Sequence, residues 1–318
     1  MAIVCGIDEV GYGPLLGPLV IAAAAFNVPQ ERIRDDFWKM LEKSTSPVKK
    51  HLRGRLLVAD SKKAYNRKSG TDNLRRTTLA ALKALGANPA SFSEMLELLS
   101  PATVGRLGRY PWYGGLGPKP IEFDDEIAIA SKVFIEDMTS NRMSMASLKC
   151  ECLDAGHYNE LVAKFRNKAS LSFSSVCSLI YDIYSRFDEE NVYFMIDRQG
   201  GRTNYVPVLS RMFEGMQITV IRQNDRAGSY RLQCGRRNIF LHFSKGADSR
   251  FFPVSLASMA AKYLREIMIE ELNKYFLNLV PGVEPTAGYY TDGSRFIKEI
   301  ESVNASLLSP RELLVRSR

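Results

Sequence analysis

No stretch of the 318-residue sequence reaches the roughly 18 consecutive apolar residues that a membrane-spanning helix needs. The first residues also lack the basic-then-apolar pattern of a secretory signal, so a cytoplasmic protein is expected. Cysteine is sparse and unpatterned. The five residues Cys5, Cys150, Cys152, Cys177 and Cys234 make an odd count with no Cys-x-x-Cys pair, which argues against a disulfide framework and a structural zinc site. Cys150 and Cys152 have the spacing that puts two thiols on one face of a strand. The glycine-rich loop near the N-terminus is not a Gly-x-x-x-x-Gly-Lys-Ser/Thr phosphate loop, which counts against a nucleotide-metabolising enzyme. Neither internal repeats nor low-complexity tracts are present.

Hydrophobic residues make up 45% of the chain and charged residues 25%, with a mean hydropathy of −0.16. That balance belongs to a soluble globular protein long enough for one large domain or two modest ones. The net charge is +8. Its basic residues are bunched: Lys49-Lys50-His51 with Arg53 and Arg55, then Lys62-Lys63, Arg67-Lys68 and Arg75-Arg76. The bunching suits a polyanionic partner and equally suits solvated helix faces.

Apolar patterning predicts strands over 2–9 and 19–26, joined as a hairpin by the Gly11–Pro18 turn. It predicts a polar helix over 30–43, a helix over 72–85 and an irregular stretch over 100–120. A strand is expected over 143–152, one or two helices over 157–187, and a strand over 191–197. A strand over 217–221, a hairpin over 228–243 around Gly235, and helices over 254–277 and 294–303 complete the reading. Residues 86–142 are too long and mixed for an ordinary connection and read as an insertion.

The chemistry-bearing residues sit at element ends. In GIDEVGYGPLLGP (6–18), Asp8 and Glu9 close the first strand against a glycine-spaced loop. Asp197 closes another apolar strand, and Asp248 precedes the long helix. A lone buried carboxylate tends to take up a proton. Four brought together would repel unless divalent cations lay between them, and with two Mg²⁺ or Mn²⁺ they would form a phosphoryl-transfer site. Taken singly, each also fits a plain strand end or helix cap.

These residues resemble the type 2 ribonuclease H (RNase HII) family. GIDEVGYGPLLGPLVIAAAAF is similar to its opening acidic pair, glycine loop and hairpin strand. Asp60-Ser61-Lys62-Lys63 matches its DSKK motif, and Val192 to Asp197 the strand carrying its third carboxylate. The segment from Ala247 through Lys262 resembles the one carrying its fourth, and Gly288-Tyr289-Tyr290-Thr291 its GYPT turn. The resemblance spans roughly 6–295. It implies an α/β fold, a ribonuclease H-like mixed β-sheet flanked by helices with a helical C-terminal part. A catalytic domain over 1–262 would be interrupted by the 86–142 insertion and an extra hairpin at about 202–244, with a helical part over 263–318. The implied activity is two-metal hydrolysis of the RNA strand of an RNA–DNA hybrid. Asp8, Glu9, Asp197 and Asp248 would hold Mg²⁺ or Mn²⁺, and Ser61, Lys62 and Lys63 would contact phosphates. The Gly11, Tyr12 and Gly13 loop would face the ribose, and Tyr289 would stack at a junction.

Departures from the family pattern mark this chain. Tyr12 stands where the family has a basic loop residue, Thr286-Ala287 where it has His-Lys, and Arg198 where a glycine is usual. A Tyr cannot supply the charge of an Arg. The Tyr12 change and the two insertions favour one alternative, a nuclease of the same fold acting on a junction or DNA. A nucleic-acid-binding protein without turnover is a further one. Tyr110, Trp112 and Tyr113 interleave with Arg106, Arg109 and Lys119, a pattern suited to gripping nucleic acid or to anchoring a loop. Arg226, Arg231, Arg236 and Arg237 are placed to form an arm over a duplex.

Overall fold

The structure, a computed structural model, describes residues 1–65, 70–188, 191–199 and 202–317. The basic pair Arg67-Lys68 lies outside them. The hairpin β1 (Ala2–Val10) and β2 (Leu19–Val28) opens the chain. Short elements follow: α1 (Phe37–Met40), β3 (Thr45–Ser46), β4 (Leu56–Leu57) and α2 (Ser61–Ala64). Next come α3 (Asp72–Ala84), α4 (Phe92–Leu99), α5 (Pro101–Leu107) and α6 (Asp125–Ser140). The central part holds β5 (Ser144–Leu153), α7 (Ala155–Phe165), α8 (Lys168–Arg186), β6 (Asn191–Asp197) and α9 (Val206–Met212). A meander of β7 (Gln217–Gln223), β8 (Ala227–Cys234) and β9 (Arg237–Ser244) leads to α10 (Phe252–Leu279), α11 (Tyr290–Asn304) and α12 (Arg311–Leu314).

Seven strands form one mixed sheet in the order β5-β2-β1-β6-β9-β8-β7. β1, β6 and β9 run parallel at its centre, so Asp197 at the end of β6 lies at the same sheet edge as Asp8. Helices flank the sheet, α10 against β1 and β2 on one face and α8 on the other, an α/β mixed sheet as expected. Alternation along β1 divides two cores. Val4 faces the layer of α10 and α3, while Ile3, Cys5 and Ile7 face α8. Gly6 is the closest approach: a Cβ there would lie 2.1 Å from the Pro253 carbonyl carbon, so the start of α10 can rest on β1 only because this side chain is missing.

Two expectations about secondary structure need correction. Residues 30–43 do not form one helix. A 3-10 turn at Gln30–Arg32 and the four-residue α1 replace it, because Asp36 caps a new start by accepting from the Trp38 backbone N–H at 2.9 Å. Residues 100–120 are not wholly irregular, since Ser100 is followed by proline and α5 starts there. The aromatic group does not reach solvent: Tyr110, Trp112 and Tyr113 are buried, with Trp112 packed on Tyr275 and Phe276 of α10. Arg106, Arg109 and Lys119 pair with Asp154, Glu160 and Glu270. The cluster anchors the 86–142 segment to the core, because three aromatic rings gain more from burial than from exposure.

The 202–244 segment supplies β7, β8 and β9, and β9 lies beside β6. Arg236 and Arg237 sit at the β8–β9 turn, at the sheet end opposite Asp197. Arg237 is folded back onto the ring of Tyr184, 3.9 Å from its centroid. An arm over the cleft built from those two arginines is therefore ruled out by the strand direction. Cys150 and Cys152 are both buried on one face of β5, as their spacing predicts.

Candidate active site

At the carboxyl ends of β1 and β6 lies an open cleft of about 590 Å³. The ends of β1 and β6, the Gly11–Pro14 loop, α2, the 245–249 turn, one face of α10 and Tyr289 line it. Every residue that the family resemblance implies as a metal ligand or substrate contact lines this cleft: Asp8, Glu9, Asp197, Asp248, Gly11, Tyr12, Gly13, Ser61, Lys62, Lys63 and Tyr289.

Asp8 and Glu9 are neighbours in a strand, so they leave it on opposite faces. Asp8 is 8% exposed and turns toward α10, where Ser258 bonds it. Glu9 turns toward α8 and accepts from the Ser172 hydroxyl and from Gln199 Nε2, the latter at 3.1 Å. Gln199 also donates to Ser172 at 2.9 Å, closing a small network that fixes Glu9. Asp197 accepts from the Ala247 backbone N–H at 2.8 Å, which ties β6 to the turn carrying Asp248.

Charge is poorly compensated in the cleft. Burial, and then the charges of Asp197 and Asp248, hold the Asp8 carboxyl well above the usual carboxylate range. Burial raises Glu9 as well, against the pull of its Ser172 and Gln199 bonds. Asp248 is raised by burial and by Asp60 and Asp197, with Lys62 acting the other way. Asp60 is thus a further carboxylate of the site. It also caps α2 by accepting from the Lys62 backbone N–H at 2.9 Å.

The donor set consists of hard carboxylate oxygens, which suit Mg²⁺ or Mn²⁺ rather than a soft metal. Buried carboxylates raised by one another are groups that a cation would return to their charged form. Among the described residues, however, no three acidic, histidine or cysteine side chains converge closely enough to clasp one ion as placed. The chemistry of the donors fits a divalent cation, and closure around it would need side-chain rotation.

The glycine loop has two separate causes. Gly11 has φ +94°, and a Cβ there would lie 2.7 Å from the Pro18 carbonyl oxygen and 2.8 Å from Arg265 Nε. Its glycine serves internal packing. Gly13 faces open space, with nothing within 4 Å of a Cβ, so only Gly13 leaves room for an approaching backbone.

Two buried arginines hold this loop from beneath. Arg265 on α10 is fully buried, donates to the Ala287 carbonyl at 3.0 Å and pairs with Glu266, which also binds Lys262 at 2.6 Å. Arg316 donates to the carbonyls of Tyr12 and Pro14, and its own backbone N–H bonds the Leu15 carbonyl at 3.0 Å. Burial pushes the Arg316 guanidinium down to about 10. The Gly288 carbonyl receives the N–H groups of Leu15 and Leu16, which brings Tyr289 to the rim. Tyr289 is 52% exposed, with the Arg265 guanidinium 5.8 Å from its ring centroid. Tyr12 lies with Lys168 Nζ 5.3 Å from its ring, so a cation does stand beside the loop, supplied by α8.

Sequence reasoning passed over Asp60 as a carboxylate, Lys245, and the supports Ser172, Gln199, Ser258, Lys262, Arg265 and Arg316. Asp60 could have been found, since it opens a quoted motif. Ser172, Arg265 and Arg316 carry no local signal, because only the packing of α8, α10 and the final residues brings them to β1.

No family model matches the chain, and no curated protein does. Solved structures do resemble it. Bst-RNase HIII in complex with Mn²⁺ aligns over 99% of this chain at 15% identity and a TM-score of 0.44, and this chain spans 66% of that one. The RNase HII of the PCNA:RNase HII complex from Archaeoglobus fulgidus aligns over 99% of this chain and 94% of its own, at 16% identity and a TM-score of 0.43. Aquifex aeolicus RNase H3 aligns over 98% of this chain and 71% of its own, at 15% identity and a TM-score of 0.43. At such identities and scores, these matches say nothing about the chemistry of this chain.

Proposed function

We propose that this protein is a metal-dependent endonuclease that hydrolyses the RNA strand of RNA–DNA hybrids. The observation that carries the reading is the gathering of Asp8, Glu9, Asp60, Asp197 and Asp248 from four separate chain segments around one cleft, with Lys62, Lys63 and Lys245 on its lining. Acidic groups crowded until they raise one another cost stability, and a rim of lysines beside them suits a phosphate backbone.

Asp8, Glu9, Asp197 and Asp248 would hold the divalent ions. When bound, such ions supply a nucleophilic water at neutral pH and stabilise the leaving oxygen. The chain's own residues do the positioning. Ser172 and Gln199 hold Glu9, and Ser258 holds Asp8. Lys62 and Lys63 receive the phosphates. The open side of Gly13 admits a sugar, where a 2′-hydroxyl separates RNA from DNA. Tyr12, with Lys168 beside it, takes the place of a charged loop residue, so a single ribonucleotide embedded in DNA is expected to be a poorer substrate than a continuous hybrid.

A second reading, nucleic-acid binding without turnover, is favoured by the carboxylates' not converging as placed. Incubation with Mg²⁺ or Mn²⁺ and labelled RNA–DNA hybrid, embedded-ribonucleotide duplex and plain DNA separates the two. Cutting of the hybrid that an Asp197→Asn variant abolishes supports the nuclease. Binding without cutting leaves the second reading.

A further inference from the structure

The long helix α10 packs on β1 and β2 and meets β6 only at its margin. The same sheet face continues beyond it over β6, β9, β8 and β7, where Tyr193 of β6 and Phe240 and His242 of β9 are half-buried rather than covered. A hollow of about 520 Å³ lies on this bare face. It joins a second of about 400 Å³ through Arg34, Met195 and Phe251. That one adjoins a smaller hollow at Asp36 and Trp38, which in turn shares Asp60, Lys63 and Asp248 with the carboxylate cleft. One furrow thus runs from the candidate active site across Trp38 and Phe251 to the stacked pair of Tyr193 and Phe240, whose ring centroids are 4.9 Å apart. Tyr193 lies four residues before Asp197 on the same face of β6, so the furrow reaches about 13 Å beyond the carboxylates at about 3.3 Å per residue.

The furrow has an apolar floor, with Arg34, Arg222 and Arg250 along it and two exposed carboxylates, Asp35 and Asp36, on the lining of its middle part. Arg34 and Arg222 are exposed, and no carboxylate partner is found for either among the described residues. Among the described residues, Arg250 donates only to the carbonyls of Lys245 and Gly246. The acidic groups nearby are engaged: Asp35 pairs with Arg32 and Asp36 caps α1. Arg222 pairs across the strands with Ser229, and Ser229 with His242, so Arg222 stands on this face, while Arg250 lines the adjoining hollow. Burial, followed by the charges of Arg250 and Arg222, holds His242 below its usual range.

We propose that this furrow binds a single-stranded nucleic-acid segment continuous with the strand in the cleft, so that the preferred substrate is a hybrid carrying an unpaired tail. Cations on the rim fit successive phosphates, and an apolar, aromatic floor fits unpaired bases. Bases stacked inside a duplex cannot reach such a floor. The proposal rests on the nuclease reading for the identity of the strand, and its test is independent of cleavage.

The test is fluorescence anisotropy without divalent ions, using three probes: a blunt RNA–DNA hybrid, the same hybrid with a thymidine tail, and a short oligothymidylate. The tail is expected to tighten binding about tenfold, equivalent to one well-stacked base. An Arg34→Glu, Arg222→Glu double variant brings the ratio of tailed to blunt affinity close to one. The milder Arg34→Ala, Arg222→Ala pair lowers the salt slope of oligothymidylate binding by about 1.4, the value for two lost single-strand phosphate contacts. An unchanged melting temperature verifies folding of each variant. A tail that brings no gain, or a gain that both variants retain, overturns the proposal. So does a polyglutamate peptide that binds as tightly as the oligonucleotide and displaces it. Failure to cut any hybrid, with the tail effect intact, refutes the nuclease reading alone.

Discussion

Replacing Asp8 by Asn should make the ion-free protein more stable at neutral pH while removing its response to divalent ions. Asp8 is buried beside Asp197 and Asp248, and its folded-state pKa lies above the unfolded value. Ionisation therefore costs the folded state. The cost is absent below about pH 4, grows as the pH rises through the folded pKa, and is constant above it. Asn keeps the shape and removes the charge. Relief of a strained functional group commonly gives about 0.5–2 kcal/mol. Unfolding entropy scales with length at about 2.1 cal/mol/K per residue, so for 318 residues about 0.7 kcal/mol moves the melting temperature by about 1 °C. The expected gain is thus about 1–3 °C at pH 8 and nothing near pH 4. Divalent ion at about a hundred times its dissociation constant stabilises the parent protein by about 2.7 kcal/mol, a rise of about 4 °C. The variant should lose that rise and the nuclease activity together. Scanning fluorimetry at both pH values, with and without Mg²⁺ or Mn²⁺, reads all of this. A variant that melts lower than the parent at pH 8 and still shows the full ion-dependent rise would refute the reasoning.

The two loop glycines should part company. Gly11→Ala forces a left-handed residue against Pro18 and Arg265 and is expected to cost about 1–3 kcal/mol in a urea melt. Gly13→Ala meets no atom and should melt like the parent while binding hybrid more weakly. Equal melting of the two would contradict the assigned causes. Trp112→Ala removes the buried anchor of the 86–142 segment and should destabilise by about 3–5 kcal/mol. If Trp112→Ala instead weakens nucleic-acid binding at unchanged stability, the aromatic cluster is a grip after all. Ser172→Ala withdraws a donor that holds the Glu9 pKa down, so the acid limb of the activity profile should move to higher pH. A limb that stays in place or moves to lower pH would show that Glu9 does not set it.

Much of this protein follows from its local sequence. The apolar runs over 2–9 and 19–26 are nearly continuous because both strands are buried on both faces at the centre of a sheet, and their hairpin forms as read. The apolar spacing over 254–277 likewise marks α10, since a buried helix this long has no other way to satisfy its backbone. The carboxylates at strand ends were visible because an apolar run that stops at Asp is a boundary in any window. The tertiary structure alone decided the rest. Whether the Tyr110, Trp112 and Tyr113 cluster faced solvent or core depended on α10, whose Tyr275 and Phe276 meet Trp112 from far along the chain. The supports of Glu9 come from α8 and the end of β6, and those of the loop from α10 and Arg316. The bare face over β9, β8 and β7 exists because α10 lies on β1 and β2 and leaves that side uncovered. Local sequence sets an element's period and its ends, because those depend on bonds and contacts within a few residues. Which faces meet is fixed by contacts between segments far apart in the chain, and the cleft, its braces and the furrow are all made of such contacts.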